Sequence, residues 1–163
     1  MSNITIRPIT EADRDWVRRF VTERWGDTRM VSRGVVHAID ALPGFVASEQ
    51  GNPVGLGTYR IQGQACEITS LDSTSERRGV GTALIEAIKK VAQQAGCQRL
   101  WLITTNDNTH ALRFYQKRGF ELVALHRNAM EDARKLKPQI PLIGNDGIPL
   151  RDEIELEIKL EIR

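Results

Sequence analysis

Apolar and polar residues alternate in ITIRPI (4–9), which predicts a short opening strand. Thr10 can then cap a helix over EADRDWVRRFVTERW. Trp16, Val17, Phe20, Val21 and Trp25 recur there at helical spacing, and Gly26 follows as a stop. The segment 27–44 carries mixed signals: Val31 to His37 could form a strand, and LPG reads as a turn. Three strands are predicted next, FVASEQ (45–50), VGLGTYRIQ (54–62) and ACEITSLD (65–72), joined by turns at Gly51-Asn52 and Gly63-Gln64. From Thr82 the stripe Ala83, Leu84, Ala87, Ile88, Val91, Ala92 and Ala95 predicts an amphipathic helix ending at Gly96. RLWLITT (99–105) is nearly all apolar and predicts a buried central strand. After a turn at Asn106-Asp107-Asn108 come a short helix, THALRFYQKR (109–118), a stop at Gly119, and a strand, FELVALH (120–126). NAMEDARKLK (128–137) reads as a helix and 138–149 as a loop. EIELEIKLEI (153–162) alternates as a final strand, one that could pair with another chain if it lies at an edge.

This order, β-α-β-β-β-α-β-α-β-α-β, predicts an α+β fold with helices flanking one mixed sheet. The alternation is too irregular for a doubly wound sheet. At 163 residues the chain is expected to form a single domain over 1–163, with its core in 4–126 and a helix, loop and final strand in 127–163. Composition changes this picture little, since 40% hydrophobic and 27% charged residues describe an ordinary globule. No apolar run reaches bilayer length, and the N-terminus lacks a secretory layout, so a cytoplasmic protein without a membrane partner is expected. The net charge is only +2 and basic residues lie among acidic ones, which gives no argument for nucleic acid. Cys66 and Cys97 have no metal-site spacing and are expected to be buried thiols; no metal is expected.

The stretch ERRGVGTALIEA (76–87) sets Gly79 and Gly81 where a helix is about to start. Glycine weakens a helix interior, so the placement needs a reason. The first N–H groups of a helix lack partners within it and sit at the positive end of its dipole, which suits an anion. A strand, a glycine turn and a helix therefore suggest a diphosphate cradle. A Walker A string is absent, and the dinucleotide fingerprint fails because Leu84 stands where a small residue is needed. A turn that only tightens strand-to-helix packing is the alternative.

ERRGVGTALIEAIKK resembles the (R/Q)xxGxGxxL segment of the GNAT superfamily of acyl-CoA-dependent N-acyltransferases. NTHALRFYQKRGF (108–120) is similar to that family's NxxAxxxYxxxGF signature at Asn108, Ala111, Tyr115, Gly119 and Phe120, and the two motifs come in the family's order and separation. One departure is Glu76, where the family has Arg or Gln. The resemblance covers residues 4 to 126. It implies a GNAT-like mixed sheet flanked by helices and an N-acetyltransferase that moves an acetyl group from acetyl-CoA to a small-molecule amine, by direct attack in a ternary complex. A protein Nα- or lysine amine is the alternative acceptor, and a non-catalytic acyl-CoA sensor the alternative class. A homodimer is left open.

The same resemblance implies roles residue by residue. Arg77, Arg78, Gly79, Val80, Gly81 and Thr82 would bind the diphosphate. The Leu71 N–H would receive the thioester carbonyl, while Ser73 and Asn108 would lie along the pantetheine arm. Tyr115 would protonate the departing sulfur, since a phenol with a pKa of about 10 keeps its proton at neutral pH. Glu67 is the leading general base. It precedes Leu71 by four residues and shares its face if the strand is regular, a condition that a bulge would break. Glu49, Asp72 and Glu76 are reserves. Arg33 and His37 fall in the variable region where the family builds its acceptor pocket, and are candidate substrate contacts.

Overall fold

A computed structural model describes residues 3–74 and 79–161. Strand β1 (Ile4–Pro8) leads through a 3-10 turn into helix α1 (Arg14–Trp25). The entry is pinned by Asp13, which accepts from the Thr10 N–H (2.8 Å) and hydroxyl (3.0 Å) and takes both Arg7 Nη groups at 2.7 and 2.8 Å. Gly26 ends the helix in the left-handed conformation, as its position predicts.

The segment 27–44 resolves into two strands rather than one. β2 (Arg29–Ser32) and β3 (Val35–Ala38) pair antiparallel as a separate two-stranded sheet. Arg33 and Gly34 both have positive φ (49° and 76°), the geometry that two-residue hairpins need to match strand twist. An arginine in the first left-handed position hides that signal.

Strands β4 (Gly44–Glu49), β5 (Asn52–Gln62) and β6 (Ala65–Ser73) form the expected meander. Helix α2 (Val80–Gln94), β7 (Arg99–Thr105), α3 (Thr109–Lys117), β8 (Glu121–His126), α4 (Ala129–Leu136) and β9 (Glu153–Lys159) come after them. The seven-stranded sheet has the order β1-β4-β5-β6-β7-β9-β8 and is antiparallel except where β6 meets β7. β9 thus enters between β7 and β8. It is an interior strand, which corrects the expectation that 153–162 could pair with another chain; the edges are β1 and β8.

Helices cover both faces, giving the α+β fold. On one face Ile85, Ile88 and Ala92 of α2 and Tyr115 of α3 pack on Cys66, Ile68, Leu100, Leu102 and Leu156 of the sheet. On the other, Val17, Phe20 and Val21 of α1 pack on Leu56 and Ile39. Cys66 and Cys97 are buried free thiols, and burial pushes the Cys66 thiol up to about 12. Among the described residues no helix is long and apolar enough to cross a membrane.

Two irregularities open the middle of the sheet. The β6–β7 ladder covers only Ala65–Arg99, Cys66–Leu100 and Glu67–Trp101, after which the strands part. The β5–β6 register shifts between Thr58 and Tyr59, opposite Ser70 and Ile68, so Thr69 is an extra residue on β6.

Candidate active site

A cleft of about 950 Å³ lies between the ends of α1 and β6, the start of α2, and α3. Leu71, Ser73, Gly81, Asn108 and Tyr115, all candidate site residues from the sequence, line it together. Arg77 and Arg78, with Glu76, lie outside the described residues.

The two glycines at the start of α2 have different reasons. Gly79 caps the helix at φ 70°, with nothing within 4 Å of an added Cβ, so the left-handed turn requires it. Its carbonyl accepts the Ala83 N–H at 3.0 Å, which leaves the N–H groups of Val80, Gly81 and Thr82 without acceptors inside the helix. A Cβ on Gly81 would stand 2.8 Å from the Phe114 ring, so its bareness lets that ring lie over the helix start. Val80 is buried and can offer only its backbone.

Sequence reasoning missed Arg118. Its guanidinium stacks on the Phe114 ring at 3.7 Å, donates from Nε to Thr82 Oγ1 (2.8 Å) and from Nη1 to the Phe114 carbonyl (2.9 Å). A fixed cation therefore stands beside the amides of α2. Its place just before Gly119 in the second motif was visible, but its reach back to Thr82 was not.

Asn108 caps α3, its Oδ1 accepting the Ala111 N–H at 3.1 Å. Tyr115 is buried, with Phe114 and Phe120 edge-on at 5.1 and 5.4 Å. Burial foremost, then the nearby Asp72 charge, holds its phenol well above the usual range, while Arg118 opposes them. The hydroxyl keeps its proton.

Glu67 and Leu71 do not share a face. The extra residue Thr69 breaks the two-residue alternation. Leu71 packs with the core under α2, whereas Glu67 points to the opposite face, beneath the hairpin. There the Ser32 hydroxyl donates to its Oε2 (2.6 Å), and His37 Nε2 stands 3.7 Å from its Oε1. Glu67 is 5% exposed and His37 4%. Burial pushes the Glu67 carboxyl up, with the Ser32 bond opposing, and burial pushes the His37 imidazole down. Arg33 is engaged elsewhere, its Nη1 on Glu153 Oε1 at 3.0 Å.

Asp72 has the position that Glu67 lacks. It lines the cleft with Tyr115 and accepts the Trp25 indole N–H on Oδ2 at 2.8 Å. Burial pushes its carboxyl up to about 6 against the pull of Trp25 and Arg24. Trp25 is half exposed, a cleft wall rather than the core residue its helical spacing predicts. Glu49 stands opposite Ile4 and Asn52 on β4, with β5 between it and β6.

Residues 10–120, more than half of the chain, match the model of the acetyltransferase (GNAT) family. The chain belongs to that family. It is 45% identical over 150 residues to YdhI of Bacillus subtilis (strain 168), covering 91% of this chain and 94% of that one. It is 43% identical to YxbD of the same organism, covering 97% and 100%. Among solved structures it resembles the IAA acetyltransferase of Bacillus cereus ATCC 14579 (TM-score 0.73, 22% identity, 97% and 100% covered). It also resembles a GNAT family acetyltransferase from Elizabethkingia anophelis with acetyl-CoA bound (TM-score 0.69, 20% identity, 97% and 99% covered). At those identities the likeness is one of fold.

The chain is therefore a GNAT acetyltransferase, and the family's co-substrate, acetyl-CoA, is its co-substrate. The residues present suit that molecule: helix amides and a stacked guanidinium for phosphate, and a protonated phenol deeper in the same cleft. The GNAT sheet separates two approaches. α2 and α3 hold one face, while α1, the hairpin and Asp72 hold the other, and the parted ends of β6 and β7 open between them.

Proposed function

We propose that this GNAT enzyme acetylates the amine of a small molecule by direct attack in a ternary complex. The observation that carries the reading is the convergence of Leu71, Ser73, Gly81, Asn108 and Tyr115 on one cleft at the start of α2. The amides of residues 79–82 hold the diphosphate, with Arg118 beside them. Asn108 and Ser73 line the path of the pantetheine arm, and the Leu71 N–H receives the thioester carbonyl, stabilising the oxyanion that forms there. Tyr115 gives its proton to sulfur as the C–S bond breaks. The base is a carboxylate on the opposite face of β6.

A small acceptor is favoured over an extended peptide by the wall around that face. Lys137 donates to the Arg29 carbonyl at 2.9 Å and Gln139 to Asp27 at 3.1 Å, joining the segment after α4 to the hairpin. The test is release of CoA thiol from acetyl-CoA over a panel of small amines and N-terminal peptides, with titration calorimetry for acetyl-CoA. Turnover with small amines supports the reading. Turnover on peptides alone moves the acceptor class, and binding without turnover on any acceptor leaves a sensor.

A further inference from the structure

We propose that Asp72, rather than Glu67, is the carboxylate that takes the acceptor's proton, and that Trp25 is the positioning residue that holds it. This rests on the acetyltransferase reading of the cleft. Adjacent residues of a strand point to opposite faces. The Leu71 side chain enters the core under α2, and Asp72 pairs with Leu56, whose side chain packs under α1. Asp72 is thus the first carboxylate on the acceptor's side of the backbone that receives the thioester.

Trp25 occupies only Oδ2 of that carboxylate, and it fixes the plane of the group by a bond from a rigid ring. Glu67, by contrast, sits beneath the hairpin, its Oε2 accepting from Ser32 and its Oε1 3.7 Å from His37 Nε2, and it does not line the cleft. Glu67 is a pillar for the hairpin. Among the described residues, Arg24 of α1 and Tyr115 of α3 act on Asp72 through charge, and Glu23 and Arg118 line the same cleft. His110, Arg113 and Lys117 line the α3 wall further along. The environment separates Asp72 and Tyr115 as a base and an acid should be separated: one carboxyl is raised to about 6, and one phenol is raised well above its range.

The step balances. The acceptor enters as an ammonium, and Asp72 takes one N–H proton and passes it to water. The freed lone pair forms the C–N bond at the thioester carbon, and the C–S pair leaves on sulfur, which takes the Tyr115 proton. The surplus proton on nitrogen restores the phenol. The products are the acetylated amine, free CoA thiol and one proton.

The experiment monitors CoA thiol release against pH for the wild type, D72N, E67Q and W25F, with the best amine of the panel or with water as acceptor. Calorimetric titration with acetyl-CoA is run on each. The wild type is expected to show an acid limb with a midpoint near 6. D72N should lose that limb and about 10²–10³ of its rate at pH 7, while keeping acetyl-CoA affinity within about threefold. E67Q should keep the limb, whatever it does to the rate. W25F should move the limb upward, because it removes a donor that favours the charged carboxylate. A limb that survives D72N, or disappears in E67Q, overturns the proposal. So does a D72N protein that no longer binds acetyl-CoA. If the wild type neither binds acetyl-CoA nor releases thiol, the transferase reading itself has failed.

Discussion

Burial of Asp72 in the cleft also bears on stability. Its carboxyl is raised to about 6 in the folded chain from an ordinary 3.8, so the folded state prefers the neutral form. Stability from this group is full below about pH 4 and is lost as pH rises through about 6. Because the cleft admits water, the loss at neutral pH is about 1–2 kcal/mol, less than full burial would bring. D72N should therefore melt a few degrees higher at pH 7.5 and no higher at pH 4. Calorimetric melting at both values checks this, and an equal shift at both would remove the titration from the explanation. A stabilised, inactive variant is what a carboxylate retained for chemistry should give. The residue itself was legible only as one of several carboxylates near the glycine stretch. Counting in twos from Glu67 to Leu71 assumes a regular strand, and Thr69 breaks the count. The hydroxyl of Thr58 meets those of Thr69 and Ser70 at 2.7 and 2.6 Å across the bulge, a polar cluster whose meaning depends on the register of β5, which sequence does not supply.

At the level of elements, the motifs transferred well because each is local. The strand and α2 fall within two residues of their expected limits, and Asn108, Ala111 and Tyr115 lie on one short helix whose N-cap is Asn108. What joins the motifs was not legible, since Gly81 and Phe114 meet only after the chain has crossed β7. The two glycines therefore predict different failures. Gly79→Ala forces a side chain into the left-handed region and should lower stability by about 1 kcal/mol. Gly81→Ala pushes the Phe114 ring, and with it Arg118, off the helix start, so it should weaken acetyl-CoA binding more than it lowers the melting temperature. Phe114→Leu in the Gly81→Ala background makes room for the new methyl and should recover part of the affinity. Titration calorimetry and thermal melts on the three variants decide the matter. If Gly81→Ala binds acetyl-CoA as tightly as the wild type, the Phe114–Arg118 stack has no part in the cradle.

On the scale of the whole molecule, the sheet order was the feature the sequence concealed. EIELEIK reads as an amphipathic strand with solvated glutamates, a pattern that suits an edge. Inside the sheet those glutamates instead have partners. Arg99 meets Glu155 and Glu157 at 2.6 and 2.8 Å, His126 meets Glu155 at 3.0 Å, and Arg33 meets Glu153 at 3.0 Å. The last pair ties the hairpin, which belongs to a separate small sheet, to an interior strand of the main one. The Glu153 end is buried and the Arg33 end is 41% exposed, so removing the arginine leaves a buried carboxylate without that partner. Arg33→Ala should consequently loosen the hairpin over Glu67, and with it the wall on the proposed acceptor side. The residues proposed to hold acetyl-CoA include those on α2 and α3 across the sheet, so acetyl-CoA affinity should stay within about twofold while the acceptor KM rises several-fold. Backbone amides of residues 29–38 should also exchange faster with solvent, since few main-sheet bonds hold them. Hydrogen exchange read segment by segment, beside KM for both substrates, tests this. An Arg33→Ala enzyme that loses acetyl-CoA affinity in step with the acceptor would mean that the two faces are not independent.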